Sequence, residues 1–234
     1  MKTKEFFAGM RSGMPICVGY FSVSFGFGAI AITHGLSILQ AILISATNLT
    51  SAGQFAGLTV IAAGAAILEL ILTQVVINSR YALMSLALGQ RLGPQIGTIK
   101  RLLLAFFNTD EVFALGMSRG KNLTPGFFAG AGVVAALGWV AGTAMGAIAG
   151  SLLPESVQTA LGVMLYGMFV AIVVPQTKNN KPILICVILA LFFSCLFAWL
   201  PLLNQVSSGL AVVICTCLAA SVCAVLFPTQ EVAE

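Results

Sequence analysis

The chemistry open to this chain rests on few side chains. Seven of its 234 residues are acidic and eleven are basic, so each ionisable group in apolar surroundings is informative. Asp110 and Glu111 stand together in the stretch 100–118, KRLLLAFFNTDEVFALGMS, which is apolar at both ends. Adjacent carboxylates repel, and if both leave water one holds its proton more tightly. Asp110 and Glu111 therefore make a candidate proton site; on a solvated helix face they would carry no chemistry. Glu69 and Arg80 lie in or at the edge of the apolar run 66–88, where ionised groups are costly and usually functional. On a helix, Glu69, Thr73 and Arg80 fall within about 40° of one another. Gln74, Asn78, Tyr81 and Ser85 form a second stripe, about 60° wide and roughly opposite. Glu69 and Arg80 are about 16 Å apart along the axis and cannot pair on this helix. One stripe suits a transport path and the other a helix or subunit contact; the alternative for Arg80 is snorkelling to the interface.

A second place for chemistry is the segment 37–63. It is apolar but interrupted by Thr47-Asn48-Leu49-Thr50-Ser51-Ala52-Gly53-Gln54. Irregular backbone at membrane depth is tolerated only where protein or a watery cavity supports it, so a broken or re-entrant helix is expected near residues 47–54. A half-helix starting at Gly53 and Gln54 would aim unpaired N–H groups and a positive dipole into the interior. An amino acid's carboxylate suits such a site, with Gln54 as a further hydrogen-bonding group; an ordinary polar cap is the plainer reading. Ser22 and Gly26, and Ser24 and Gly28, are spaced four apart, which lets helix backbones approach closely.

The elements that must position these groups follow from composition. The chain is 59% hydrophobic and 8% charged, with a mean hydropathy of +1.04, too few polar groups to cover a soluble globule. Barrel strands would alternate apolar and polar residues; the apolar runs here are far longer. Helices are the remaining structure that satisfies its own backbone in lipid. Runs long enough to span occur at about 14–33, 66–88, 127–150, 160–177, 183–203 and 206–227. The fold class is all-α: a polytopic transmembrane helix bundle of about six to eight spans in one integral membrane domain, 1–234. The stretch 100–118 reads as a cytoplasmic amphipathic helix, a re-entrant segment or a costly span.

The net charge of +4 reports topology rather than nucleic acid, because the basic residues lie between apolar runs. Lys2, Lys4 and Arg11 place the N-terminus in the cytoplasm. Arg91, Lys100, Arg101, Arg119 and Lys121 mark the region 89–126, and Lys178 and Lys181 a further loop. All three are cytoplasmic if 37–63 enters and leaves on one side, the version favoured here. If 37–63 crosses, 100–118 must cross back. A basic N-terminus before an apolar run also fits a signal peptide, with Ala29-Ile30-Ala31 as a cleavage site; the length of the run favours a retained helix. Phe6-Phe7-Ala8-Gly9 recurs as Phe127-Phe128-Ala129-Gly130, and Gly28-Ala29-Ile30-Ala31 as Gly146-Ala147-Ile148-Ala149. These suggest repeat halves 6–90 and 125–227 linked by 91–124, as in transporters with internal repeats; chance likeness of Gly/Ala-rich helices is the alternative.

Several classes lose support. The six cysteines, Cys17, Cys186, Cys195, Cys215, Cys217 and Cys223, form no CxxC, and the lone His34 completes no zinc set. Neither a metal nor a cofactor is expected. There is no Walker A, HExxH, GxSxG or kinase motif, so an ATP-driven pump or an enzyme is disfavoured.

Four motifs together carry a resemblance. They are Ser51-Ala52-Gly53-Gln54-Phe55-Ala56, Asn78-Ser79-Arg80-Tyr81-Ala82-Leu83-Met84-Ser85, Thr109-Asp110-Glu111-Val112-Phe113-Ala114, and Trp139 with Gly142-Thr143 and Gly146. In this order and spacing the chain resembles the AzlC family over essentially its whole length. The resemblance implies the large subunit of a bacterial branched-chain amino acid exporter in the plasma (inner) membrane. The resemblance further implies export of valine, leucine, isoleucine and methionine driven by the proton gradient, beside a small AzlD-like membrane subunit of about four spans. On this reading Gly53, Gln54, Asn78, Arg80, Thr109 and Trp139 bind substrate or line its path. Asp110, then Glu111 and Glu69, are the proton-coupling candidates. A channel subunit for small polar solutes and a structural partner subunit are the alternatives.

Overall fold

The computed structural model describes residues 2–92, 96–150 and 180–228, together with 152, 154, 156, 170, 173, 174, 177 and 178. Among the described residues the regular structure is helical: α1 (Lys2–Thr33), α2 (Ile38–Thr47), α3 (Ala52–Ala62), α4 (Ile67–Leu92), α5 (Thr98–Phe106), α6 (Asp110–Ser118), α7 (Pro125–Gly150), α8 (Lys181–Trp199) and α9 (Ser208–Leu226). Five of these, α1, α4, α7, α8 and α9, are long and apolar enough to cross a membrane. The expected span 160–177 lies almost wholly outside the described residues. The chain forms two compact units, Met1–Phe55 with Asn78–Leu165, and Ala56–Ile77 with Tyr166–Glu234.

The first unit is organised on α1 and α7, and glycine explains why. A Cβ on Gly9 would strike the Phe127 carbonyl, and one on Gly130 the Phe6 carbonyl. Likewise a Cβ on Gly28 meets the Thr143 carbonyl and one on Gly146 the Phe25 carbonyl. The backbones therefore touch, as small-residue spacings permit. Cys17 lies against Gly138, Phe21 against Gly142 and Ala29 against Gly150. Residue numbers rise together along both helices, so α1 and α7 run parallel. The tetrapeptides that recur in the sequence meet one another, and each contact is reciprocal.

Between these helices the chain must return to the end where it began, and α4 makes that return. Leu88 packs with Leu104, Val112, Leu123, Phe127 and Phe128 around the first turns of α7. Ile67 is 21 residues earlier on the same helix, about 30 Å away along its axis. The chain turns back on itself twice. Ser37 and Gln40 form a capping box that starts α2. Residues 48–51 then break the helix, and Ser51 adopts φ 40°, a left-handed conformation uncommon outside glycine. If α2 and α3 were collinear, Ser45 and Gln54 would stand about 13 Å apart; instead Gln54 Nε2 donates to Ser45 Oγ at 2.9 Å. The segment 37–63 is thus a helical hairpin. It begins just after α1 ends.

The stretch 100–118 is a second hairpin. Its rising arm α5 runs antiparallel to α4, with Arg101 beside Gly89 and Asn108 against Ser85. Its falling arm α6 runs antiparallel to α7, with Gly116 against Phe128. Residues 107–109 form the tip, and Phe107 fills the space a side chain at Gly132 would need. Nine residues in either arm are too few to span, so the single costly span does not describe this stretch. The two hairpins approach from opposite ends of the α1–α7 pair.

In the second unit the Gly57 face of α3 lies against Gln74 and Leu70, after a turn in which Gly64 has φ 63°. α8 and α9 form an antiparallel pair, with Cys186 Sγ 3.9 Å from the Ala219 carbonyl. Their outer faces are exposed and apolar: Ile188, Leu191, Phe192 and Val225 are each more than half exposed.

Candidate functional site at two helix tips

The hairpin tips meet the middle of α1 and α7 one helical turn apart, about 6 Å. Ser24 and Thr143 mark one level, Tyr20 and Trp139 the other. At the upper level Ser45 Oγ and Thr143 Oγ1 are 2.7 Å apart, and Gln54 completes the chain through Ser45. Ser24, Ser45 and Thr143 have no exposed surface and Gln54 has 2%. Close contact at Gly142 holds Ser24 in place, and Phe55 packs edge-on against Phe27. Gly53 is buried in the first turn of α3. Gln54 Oε1 and Thr50 Oγ1 are buried without a hydrogen-bond partner.

At the lower level the α6 tip carries three polar links. Arg80 Nη1 pairs with Asp110 Oδ2 at 2.8 Å. The same guanidinium lies 5.0 Å from the Tyr81 ring centroid, and its Nη2 donates to the Tyr81 hydroxyl at 3.3 Å. The Tyr20 hydroxyl donates to Glu111 Oε2. Tyr20 packs edge-on against Trp139 with ring centroids 5.3 Å apart. Asn108 Nδ2 donates to Ser85 Oγ at 3.1 Å. Thr109 is the N-cap of α6 without a side-chain capping bond, and its carbonyl accepts from Phe113 N at 2.8 Å. Asn108 Oδ1 and Trp139 Nε1 are buried without a partner. A buried polar atom left unsatisfied costs about 1–3 kcal/mol, so a donor and several acceptors left open around two tips are suited to a polar ligand. The N-termini of α3 and α6 add positive potential at the tips, and the C-termini of α2 and α5 add negative potential.

A cavity of about 200 Å³ adjoins Ser85, walled by Leu88, Leu92, Leu104 and Ala105 with Arg101 at its edge. At the base of the hairpin Arg119 lies over the Phe127 ring and contacts Glu5 at 3.4 Å; Thr124 donates to the same carboxylate.

The structure brings Gln54 and Gly53 to one tip, Arg80, Thr109, Asp110 and Glu111 to the other, and Trp139 beside the second. Asn78 is half-buried on α4, two residues before Arg80. Glu69 belongs to the second unit. It is 8% exposed, and its Oε1 accepts from Gly209 N at 2.9 Å, capping α9. The stripe shared by Glu69, Thr73 and Arg80 is therefore divided, with Thr73 also against Gly209. Sequence reasoning did not place Tyr20, Ser45 or Asn108 in a site. The usable signal was a hydroxyl residue inside an apolar run; what hid them was that their partners lie on distant helices. Among the described residues no three His, Cys, Asp or Glu side chains are grouped to hold a metal.

Long apolar helices and two interrupted, polar hairpins define a polytopic α-helical membrane protein. The chain belongs to the AzlC family: the family model described as AzlC protein matches residues 15–153. It is similar to the inner membrane protein YgaZ of Escherichia coli K12, 29% identical over 222 residues, which cover 92% of this chain and 89% of that protein. It is also similar to a membrane protein of Archaeoglobus fulgidus named as uncharacterized, 32% identical over 181 residues, 76% of this chain and 79% of the other. No solved structure matches the chain.

Proposed function

We propose that this chain is the substrate-carrying large subunit of a proton-coupled secondary exporter of branched-chain amino acids. The observation that carries the reading is the meeting of two helical hairpins, from opposite ends, at buried polar atoms with no partner. A zwitterion fits this chemistry. Its carboxylate suits the positive end of α3 and the open Trp139 N–H. Its ammonium suits the open Gln54 and Asn108 oxygens and the carboxylates of the α6 tip. The aliphatic cavity beside Ser85 gives a branched side chain room. Valine, leucine, isoleucine and methionine are the substrates proposed. Alternating access follows if one tip withdraws while the other stays closed on the substrate.

The coupling proton is assigned to the Asp110–Glu111 pair. Glu69 has a sufficient role as the cap of α9. The partner is a small AzlD-like membrane subunit, for which the apolar faces of α8 and α9 offer a seat. The complex resides in a bacterial plasma (inner) membrane, with the N-terminus of this chain in the cytoplasm.

The test is efflux from cells loaded with a leucine- or valine-containing dipeptide. Deleting the chain slows release of the free amino acid, and collapsing the proton gradient does the same to the wild type. Unchanged efflux on deletion sinks the substrate assignment; efflux indifferent to the gradient favours a pore. Asp110→Asn breaks the Arg80 pair and lowers transport. Full proton-driven transport in that variant would remove Asp110 from the mechanism.

A further inference from the structure

One carboxylate and two hydroxyls gather at the start of α9, and both hydroxyls are idle. Ser207 is the N-cap residue of α9, with φ -57° and ψ 149°. Its backbone is close to that of Ser37, which caps α2 at φ -72° and ψ 157°. A serine so placed ordinarily accepts from the N–H two or three residues further on. Ser207 makes no such bond, and its Oγ is buried without a partner. The N–H within its reach, that of Gly209, is given instead to Glu69 Oε1 at 2.9 Å. Thr73, one turn beyond Glu69 on α4, is the second idle hydroxyl. It has no exposed surface, and its Oγ1 has no partner. A Cβ on Gly209 would lie 2.6 Å from Glu69 Oε1 and 2.8 Å from Thr73 Oγ1. Glycine therefore leaves the notch that admits the carboxylate, with the threonine hydroxyl beside it. Buried hydroxyls left unbonded are costly and call for a reason.

We propose that Glu69, Thr73, Ser207 and Gly209 form a two-position clasp between α4 and α9. In the closed position Glu69 caps α9 from the neighbouring helix. In the open position Ser207 Oγ accepts from Gly209 N, and Thr73 Oγ1 donates to the released Glu69 carboxylate. Each end of the broken bond has its replacement already in place, so the first turns of α4 can part from α9 without baring a buried polar group. The closed position is the one seen because a carboxylate on a helix N–H makes a charge-assisted bond, about twice as strong as a neutral one. Opening costs that difference rather than a whole bond. Only hydrogen bonds are exchanged. The clasp lies within the second unit and stands apart from the transport reading above.

The test is hydrogen–deuterium exchange, read by mass spectrometry on peptides covering the first turn of α9 in purified full-length protein. Folding of each variant is checked by circular dichroism. A cap changes the opening of the helix end it holds by a factor of about 5–30. Ser207→Ala in the wild type should leave exchange unchanged, because Glu69 holds the N–H. Gly209→Ala closes the notch and expels the carboxylate, and Glu69→Ala removes it. In either background Ser207→Ala should speed exchange by about 5–30-fold, the non-additivity expected of groups that substitute for one another. If one background fails to fold, the other decides. Ser207→Ala that is silent in every background, or equally costly in all of them, overturns the clasp. Melting temperatures test Thr73. With Gly209→Ala present, Thr73→Ser, which keeps the hydroxyl, should melt higher than Thr73→Ala; with Gly209 in place it should gain nothing. The same difference in both backgrounds would remove Thr73 from the clasp.

Discussion

At the scale of single residues, unsatisfied polar atoms are the most specific feature of the site. Trp139 has two functions that one substitution separates. Its ring supports Tyr20 edge-on, and its buried N–H has no partner in the protein. Trp139→Phe keeps an aromatic ring but removes the donor. The expected outcome is little change in melting temperature and transport lower by about tenfold, the size of one hydrogen bond to a charged group. Equal losses of stability and transport would show that the ring alone matters. Thr143→Val acts the other way. It leaves the Ser45 hydroxyl short of a partner in a fully buried place, so a loss of about 1–3 kcal/mol should appear as a lower melting temperature in detergent. Gln54, Arg80 and Asp110 were legible from sequence because polar groups in apolar runs need a reason to be there. The pairing of Arg80 with Asp110 was not legible. Thirty residues separate the two, and helical periodicity relates residues only within one helix.

At the scale of elements, the long helices could be read directly from apolar run length, with ends displaced by a few residues. The span expected from about residue 14 is part of a helix beginning at Lys2, since backbone hydrogen bonding continues past the point where the side chains become polar. The interruption near residues 47–54 was also visible, because a cluster of Asn, Thr, Ser and Gly resists a continuous helix in lipid. The hairpin at 100–118 was harder. Lys100 and Arg101 on its rising arm are balanced by apolar residues on its other side, a pattern that surface helices share. The parallel α1–α7 contact makes its own prediction. Gly146→Val drives a branched side chain into the Phe25 backbone. Overpacking of a tight contact costs about 1–3 kcal/mol, and backbone yields less readily than a side chain. Gly146→Val should lower the melting temperature sharply, whereas Gly19→Val, where nothing lies within 4 Å of the added carbon, should leave it nearly unchanged.

At the scale of the whole molecule, topology is the testable quantity. In a cysteine-free background, single cysteines at Gly35, Ala65 and Leu152 should react with a membrane-impermeant maleimide from one side, and cysteines at Ile99 and Lys121 from the other. If Ala65 and Gly35 label from opposite sides, 37–63 crosses the membrane and the hairpin is refuted. Charge distribution in the sequence allowed both versions, because either left the basic loops on one side; the Ser45–Gln54 bond discriminates between them. The glycine contacts between α1 and α7 also bear on how the protein is made. Cys17 and Gly138, which touch, are separated by about 120 residues of chain, and ribosomes add about 5–20 residues per second. After α1 enters the bilayer, its grooved face must wait roughly 6 to 24 seconds for its partner helix to be synthesised. During that interval lipid, the insertion machinery or another small-residue helix occupies the groove, and the arrival of α7 must displace it.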